Sequence, residues 1–405
     1  MPTFNFKTSS GTDLGNLNLG WITKDYLMSV YPQIANQMIT PELWTWGVGG
    51  NGQLGNNTTT DRSTPVTTFA GGANWKQVGS RYNVGAAIKT DGTLWTWGRN
   101  SYAMVGDNTA TNRSTPVTTF AGGTNWKQVS VGARTLSAIK TDGTLWAWGT
   151  NANGQVGDNT TTNRTTPVTT FAGGTNWKQV DNGYFHTTAI KTDGTLWTWG
   201  HNSYGQIGNN TSGTNRLTPV TTFAGGTNWK QVSCGAYHTA AIKTDGTLWT
   251  WGHNSYGQIG NNTSGTNRLT PVTTFAGGTN WKQVSCGFAF TSAIKTDGTL
   301  WTWGRGTDGQ LGNNTTINRS TPVTTFAGGT NWKQVSCTGT QIAVIKTDGT
   351  LWVWGKNVVG GLGDNTAVNR STPVTTFAGG SNWKQVSCTD NYISAIRTSD
   401  DLQGI

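Results

Sequence analysis

V-S-C-G-A-Y-H-T-A-A-I-K-T-D-G-T-L-W-T-W-G-H-N-S-Y-G-Q-I-G, residues 232–260, decides how this chain is read. H-T-A-A-I-K and L-W-T-W-G have the small, β-branched and aromatic content of strands, and T-D-G-T between them is a turn. Upstream, N-W-K-Q-V-S adds a strand before the first. Downstream, a Gly/Asn/Thr-rich loop leads to T-P-V-T-T-F-A-G-G, where P-V-T-T-F reads as a fourth strand opening on its proline. The unit is four short strands in a row.

The unit recurs. L-W-x-W-G begins at Leu43, Leu94, Leu145, Leu196, Leu248, Leu300 and Leu351, in steps of 51 or 52 residues. N-W-K-Q-V and T-P-V-T-T-F-A-G-G each recur seven times as well, and residues 189–235 and 241–287 are identical. Seven four-stranded units of this length predict an all-β chain, a seven-bladed β-propeller.

The repeat also resembles that of the regulator of chromosome condensation family. The likeness lies in a Gly and a His before a hydrophobic strand, then D-G, an aromatic-x-W-G and N-x-x-G-Q-L-G, and it covers residues 43–405. The resemblance implies the same seven-bladed propeller. It also associates the fold with nucleotide exchange on a small GTPase and with chromatin binding, a role that calls for non-equivalent loops, whereas these repeats are near-uniform.

The ends are out of phase with the repeat. The chain enters the ring at a third strand, Leu43–Gly47, and leaves it after a second, Ile393–Thr398, so one blade is expected to combine both with Trp383–Ser387 and Val66–Phe69. That splice covers strand edges that would otherwise stay unpaired.

Composition narrows the chemistry. Charged residues are 11% of the 405, against about 25% in ordinary domains, and Glu42 is the one glutamate. Paired glutamates, EF-hand loops and HExxH zinc sites are therefore excluded. No apolar run is long enough to cross a membrane as a helix. The net charge of +10 comes mostly from three repeated positions: the Lys of N-W-K-Q, the residue after A-I, and a loop Arg from Arg62 to Arg370. A ring of cations is expected to be solvated or structural, with a polyanion such as polysaccharide or DNA as the other reading. Cys234, Cys286, Cys337 and Cys388 share one repeat position and are expected to be reduced thiols near the channel, in a protein folded in a reducing cytoplasm. His186 and His238 are expected to hold a turn, His201 and His253 to face solvent, and the T-D-G aspartates to be turn residues. No catalytic group, metal or cofactor is expected, and neither hydrolase nor transferase activity.

Two segments vary between repeats, one after the first strand and one after W-G. In an up-and-down blade both emerge on the same face. This face is rich in aromatic and basic residues and is the candidate ligand surface: Arg81, Tyr82, Arg99, Tyr102, Arg134, Tyr184, Phe185, His201, Tyr204, Tyr237, His253, Tyr256, Phe288, Phe290 and Tyr392.

Residues 1–42 lie outside the repeat and read as an arm, with a short helix expected from Asp25 to Met38. They are similar to the leading segment of marine tailed-phage structural proteins. That likeness implies a non-enzymatic virion protein, made in the host cytoplasm. Its arm (Phe4, Phe6, Trp21, Tyr26, Leu27, Tyr31) would dock onto other virion proteins of a capsid, baseplate or tail fibre, and its propeller would be displayed to a host-surface polysaccharide or protein. The alternatives are a GTPase-exchange or chromatin propeller and a bacterial lectin-like scaffold. Nucleic acid and membrane insertion are not expected.

Overall fold

The computed structural model describes residues 4–7, 13–17, 41–70 and 74–398. It contains seven antiparallel four-stranded sheets. Six are continuous in sequence, over residues 75–118, 126–169, 177–221, 229–273, 281–324 and 332–375. The seventh is made of Trp383–Cys388, Tyr392–Thr398, Pro41–Gly47 and Arg62–Thr67. The innermost strands touch their neighbours all the way round, Trp383–Cys388 meeting Trp75–Arg81. The chain is a closed seven-bladed propeller, sealed by the expected splice: Pro41 to Gly47 pair residue by residue with Thr398 to Tyr392. Apart from the ring, Phe4–Lys7 and Asp13–Leu17 form a two-stranded antiparallel pair. The expected helix at 25–38, and Trp21, Tyr26, Leu27 and Tyr31, lie outside the described residues.

The hydrophobic core lies between the blades. One cluster joins Ile139 and Leu145 of one blade to Trp177, Val180, Ala189 and Trp199 of the next. The small residues of the second strand, such as H-T-T-A-I at 186–190, are buried along its length because other strands flank it and adjacent blades cover it. The second Trp of each L-W-x-W-G is fully buried. Trp199 Nε1 donates to Gln155 O on the preceding blade's loop at 2.9 Å. Only glycine fits beside it: Gly157 has φ +79°, and a Cβ there would stand 2.6 Å from Trp199 Nε1.

The outermost strand differs from the sequence expectation. It starts at the loop arginine (Arg62–Thr67), so Pro65 is its fourth residue and falls in the irregularity of pairing between Thr45 and Gly47. An edge strand interrupted there loses no ladder bond to proline. Phe69 lies beyond the strand, 64% exposed.

The cation after A-I is structural in every blade, and the loop arginine in three of them. Lys191 Nζ sits 4.8 Å from the Trp177 ring and 4.6 Å from Trp197, and every blade repeats the arrangement, with Arg397 replacing Lys in the seventh. Three of the seven loop arginines pair with aspartates, Arg164 with Asp158 at 2.5 Å, Arg113 with Asp107 at 2.6 Å and Arg370 with Asp364 at 2.8 Å. The T-D-G aspartates close their turns as expected, Asp193 Oδ1 accepting from Thr195 N–H at 2.9 Å and its hydroxyl at 2.7 Å.

Candidate functional site

Five of the seven loops after the third strands are braced from within by a buried asparagine. Buried Asn151 donates to Thr160 O at 2.9 Å and accepts from Val156 N–H at 2.9 Å, folding the loop back on itself. Its equivalents Asn100, Asn202, Asn254 and Asn357 do the same. Such loops hold their side chains in place with little ordering left to do on binding.

On this frame the variable residues gather into one aromatic and cationic surface. Phe185 stacks on Tyr237 at 5.9 Å between centroids, Tyr204 meets Tyr237 at 5.1 Å and His253 at 4.7 Å, and Tyr184 meets Phe288 at 5.3 Å. Arg134 lies over Tyr102 at 4.8 Å and Phe185 at 5.5 Å, and Arg99 caps Tyr102 from its own loop at 5.1 Å. Tyr82 extends the cluster to Tyr184, and Tyr256 carries Arg305 over its ring. A shallow cavity of about 260 Å³ opens among Asn153, Phe185, His201, Ser203, Tyr204 and Tyr237.

His201 and His253 do not stand free in solvent. Each is half-buried in the cluster, His201 Nε2 within 2.9 Å of Ser203 Oγ and Nδ1 2.7 Å from Gln206 Nε2. Loss of solvent lowers both their pKa values below the usual histidine range, so both are neutral at pH 7. Loss of solvent and the neighbouring Tyr204 raise that of Tyr237.

Three of the expected surface residues are interior. Phe290 and Tyr392 are fully buried, and the Tyr392 hydroxyl donates to Val84 O. Both occupy the repeat position of His186 and His238, nine residues after the N-W-K tryptophan, and fill the same slot. Arg81 is 4% exposed. It stands where four of the other blades have glycine, and its guanidinium reaches across the channel mouth to Asn182 O and Cys234 O. Tyr184 lies 5.3 Å away and donates to Asp390 Oδ2 at 2.8 Å, so a polar cap spans the ring.

Beneath the cap, a cavity of about 270 Å³ runs along the innermost strands. Asp181 on its wall accepts from Cys234 N–H at 2.7 Å and Ser130 Oγ at 2.9 Å. Enclosure pushes its pKa up, against the pull of Arg81. All four cysteines are buried free thiols whose pKa enclosure raises, Cys286 and Cys388 to about 12, which leaves them unreactive. His186 and His238 each contact a threonine of the next blade at 3.0 Å, and burial holds both neutral. No group of three His, Cys, Asp or Glu side chains suited to a metal occurs among the described residues.

Residues 38–332 match the family described as RCC1-like domain, and 348–396 match the regulator of chromosome condensation (RCC1) repeat. The ultraviolet-B receptor UVR8 of Arabidopsis thaliana is 32% identical over 288 residues, 69% of this chain and 64% of the receptor. The E3 ubiquitin-protein ligase HERC2 of Homo sapiens is 27% identical over 281 residues, 68% of this chain and 6% of the ligase. The chain thus spans less than two thirds of either relative. Among solved structures, yeast RCC1 (Prp20) bound to Kap60 superposes with TM-score 0.79 at 18% identity, covering 90% of each chain. Human WBSCR16 superposes with TM-score 0.77 at 19% identity, over 89% of this chain and 99% of that one.

Proposed function

Because the chain belongs to the RCC1-like propeller family, we propose that it is a non-enzymatic binding module that holds a partner protein on its aromatic and cationic face. The observation that carries this reading is the continuity of that surface. Tyr102, Arg134, Phe185, Tyr237, Tyr204, His253 and Phe288 come from five blades and touch one another in a chain. Tyr and Arg on a rigid support are the residue types that dominate protein interfaces. Yeast Prp20, solved with the protein Kap60 bound, supports a protein as the kind of partner. The virion reading rests on residues 1–42, most of which lie outside the described structure, so the proposal is confined to the propeller.

The test is a crosslinking capture with the full chain as bait, beside a variant carrying Tyr204→Ala, Tyr237→Ala and Arg134→Ala. A partner recovered by the native face and lost from the triple variant supports the reading. Equal recovery by both baits, with the variant folded, rejects this face.

A further inference from the structure

The opposite face of the disc carries the T-D-G turns and the F-A-G-G links between blades. Phe69, Phe120, Phe171, Phe223, Phe275, Phe326 and Phe377 stand there, one per blade, each 64–67% exposed. They are the largest exposed apolar side chains on the described protein, and they form a ring. Their backbones are fixed while their side chains are not packed: Phe171 N–H donates to Gly157 O at 2.8 Å and Phe223 N–H to Gly208 O at 2.8 Å. The following alanine turns in against the interblade core, as Ala224 does beside Trp229 and Trp249, and so the phenylalanine before it points out.

At the same end, the N-W-K lysines from Lys76 to Lys384 are all exposed, just inside the entry of each innermost strand. The Trp-stacked cations at the ends of the second strands add a second positive charge per blade, against one T-D-G aspartate in six of them and Glu42 in the seventh. Among the described residues the face is apolar and positively charged.

We propose that this face is a peripheral docking surface for an anionic lipid bilayer, with the phenylalanine ring entering the headgroup boundary and the lysines meeting the phosphate and carboxylate groups. Charge complementarity favours that occupant, and symmetry narrows it further. A folded protein engaging seven equivalent Phe and Lys positions would itself need sevenfold symmetry, whereas a fluid bilayer offers the same chemistry at every position around the ring. Binding needs no spanning segment, and no helix among the described residues is long and apolar enough to cross a membrane. The inference is independent of the partner reading, since it leaves the aromatic and cationic face turned away from the lipid.

Flotation of the full chain with vesicles tests it, using phosphatidylcholine alone and an equimolar mixture with phosphatidylserine. The native protein is expected to float with the mixture and not with the neutral vesicles, and to be released by high salt. Lys178→Gln, Lys230→Gln and Lys282→Gln should each lower partitioning by about fivefold. Phe171→Ser, Phe223→Ser and Phe275→Ser together should lower it about tenfold or more while the melting curve is unchanged. Tyr237→Ala, on the other face, should float like the native chain. No flotation with either vesicle overturns the proposal. So does flotation insensitive to the phenylalanines, or self-association that the serine substitutions abolish without vesicle binding, which would make a second copy the occupant.

Discussion

The two faces of the disc are made by the same seven repeats under different constraints. On the turn-bearing face the backbone decides. Gly194 has φ +79°, and a Cβ there would lie 2.0 Å from Thr227 O, while Asp193 closes the same turn with two bonds. Five more blades repeat that geometry, from Gly92 against Thr124 O to Gly349 against Ser381 O. On the other face the tips between first and second strands meet mainly other side chains, so Tyr184, Tyr237, Phe288 and Asp390 occupy related positions with different chemistry. Repeats stay alike where the neighbour is a main chain and diverge where it is another side chain.

The largest expected effect comes from breaking the ring that both faces share. Removing residues 392–405 takes away the strand paired along Pro41–Gly47, with buried Tyr392, Ile393, Ala395 and Ile396. Stability should fall by several kcal/mol, about 10 °C or more in Tm. A truncated chain that melts with the full one would show that the splice contributes nothing. Next, Gly194→Ala on the turn-bearing face should cost about 2 kcal/mol or more in denaturant titration, from positive φ and backbone collision together. A neutral outcome would dissolve the contrast between the faces.

Arg81→Gly tests the boundary between face and channel. The substitution installs the residue of four other blades and leaves Asn182 O and Cys234 O without their donor, so a loss of about 1–3 kcal/mol is expected. A Tm equal to the native one would mean that the cap is ornamental.

A smaller effect should appear in acid. Burial pushes the His238 pKa down to about 3, below the ordinary 6.5, so the unfolded chain binds the proton first. The stability from this group is whole above pH 6.5 and is lost as pH falls toward 3. Asp181 has the opposite sign, its raised pKa giving stability that is whole at low pH and lost as pH rises. His238→Phe, which copies Phe290 in the next blade, should flatten the decline of the urea midpoint between pH 7 and pH 4. An unchanged slope would assign the acid response elsewhere. The smallest change in stability, within about 1 kcal/mol, is expected for half-buried Tyr237→Ala, which sharpens the comparison by removing recognition from a face that does little for the fold.

Much of this was legible in the residues. Three strings each repeated seven times carried the blade count, and their phase at Leu43 and Thr398 carried the splice. The extent of the outer strand was not, because proline at an edge is compatible with several strand starts and the pairing irregularity beside Gly47 leaves no trace in sequence. The candidate surface was legible for Tyr184, Phe185, Tyr204 and Tyr237. It was misread for Phe290 and Tyr392, although counting nine residues from Trp281 and Trp383 puts both in the histidine slot. Arg81 gave one signal, an arginine in a place where glycine is common, but its reach to two distant blades depends on the width of the channel. The phenylalanine ring leaves no mark in the sequence, where P-V-T-T-F reads as a strand, and only burial separates a Phe that points out from one that points in.

Inside the channel wall, Gln179 Nε2 donates to Val232 O at 3.0 Å while Val232 N–H donates to Gln179 Oε1 at 3.2 Å, and Gln77, Gln128, Gln231 and Gln283 make the same double bridge. Each glutamine reads only its neighbour's main chain, never a side chain. These glutamine bridges are therefore blind to which blade comes next, whereas contacts such as Ser130 with Asp181 and His186 with Thr239 join side chain to side chain. A gene encoding such a ring can exchange or copy whole units by recombination without spoiling these bridges, and the identical stretches at 189–235 and 241–287 are consistent with such copying.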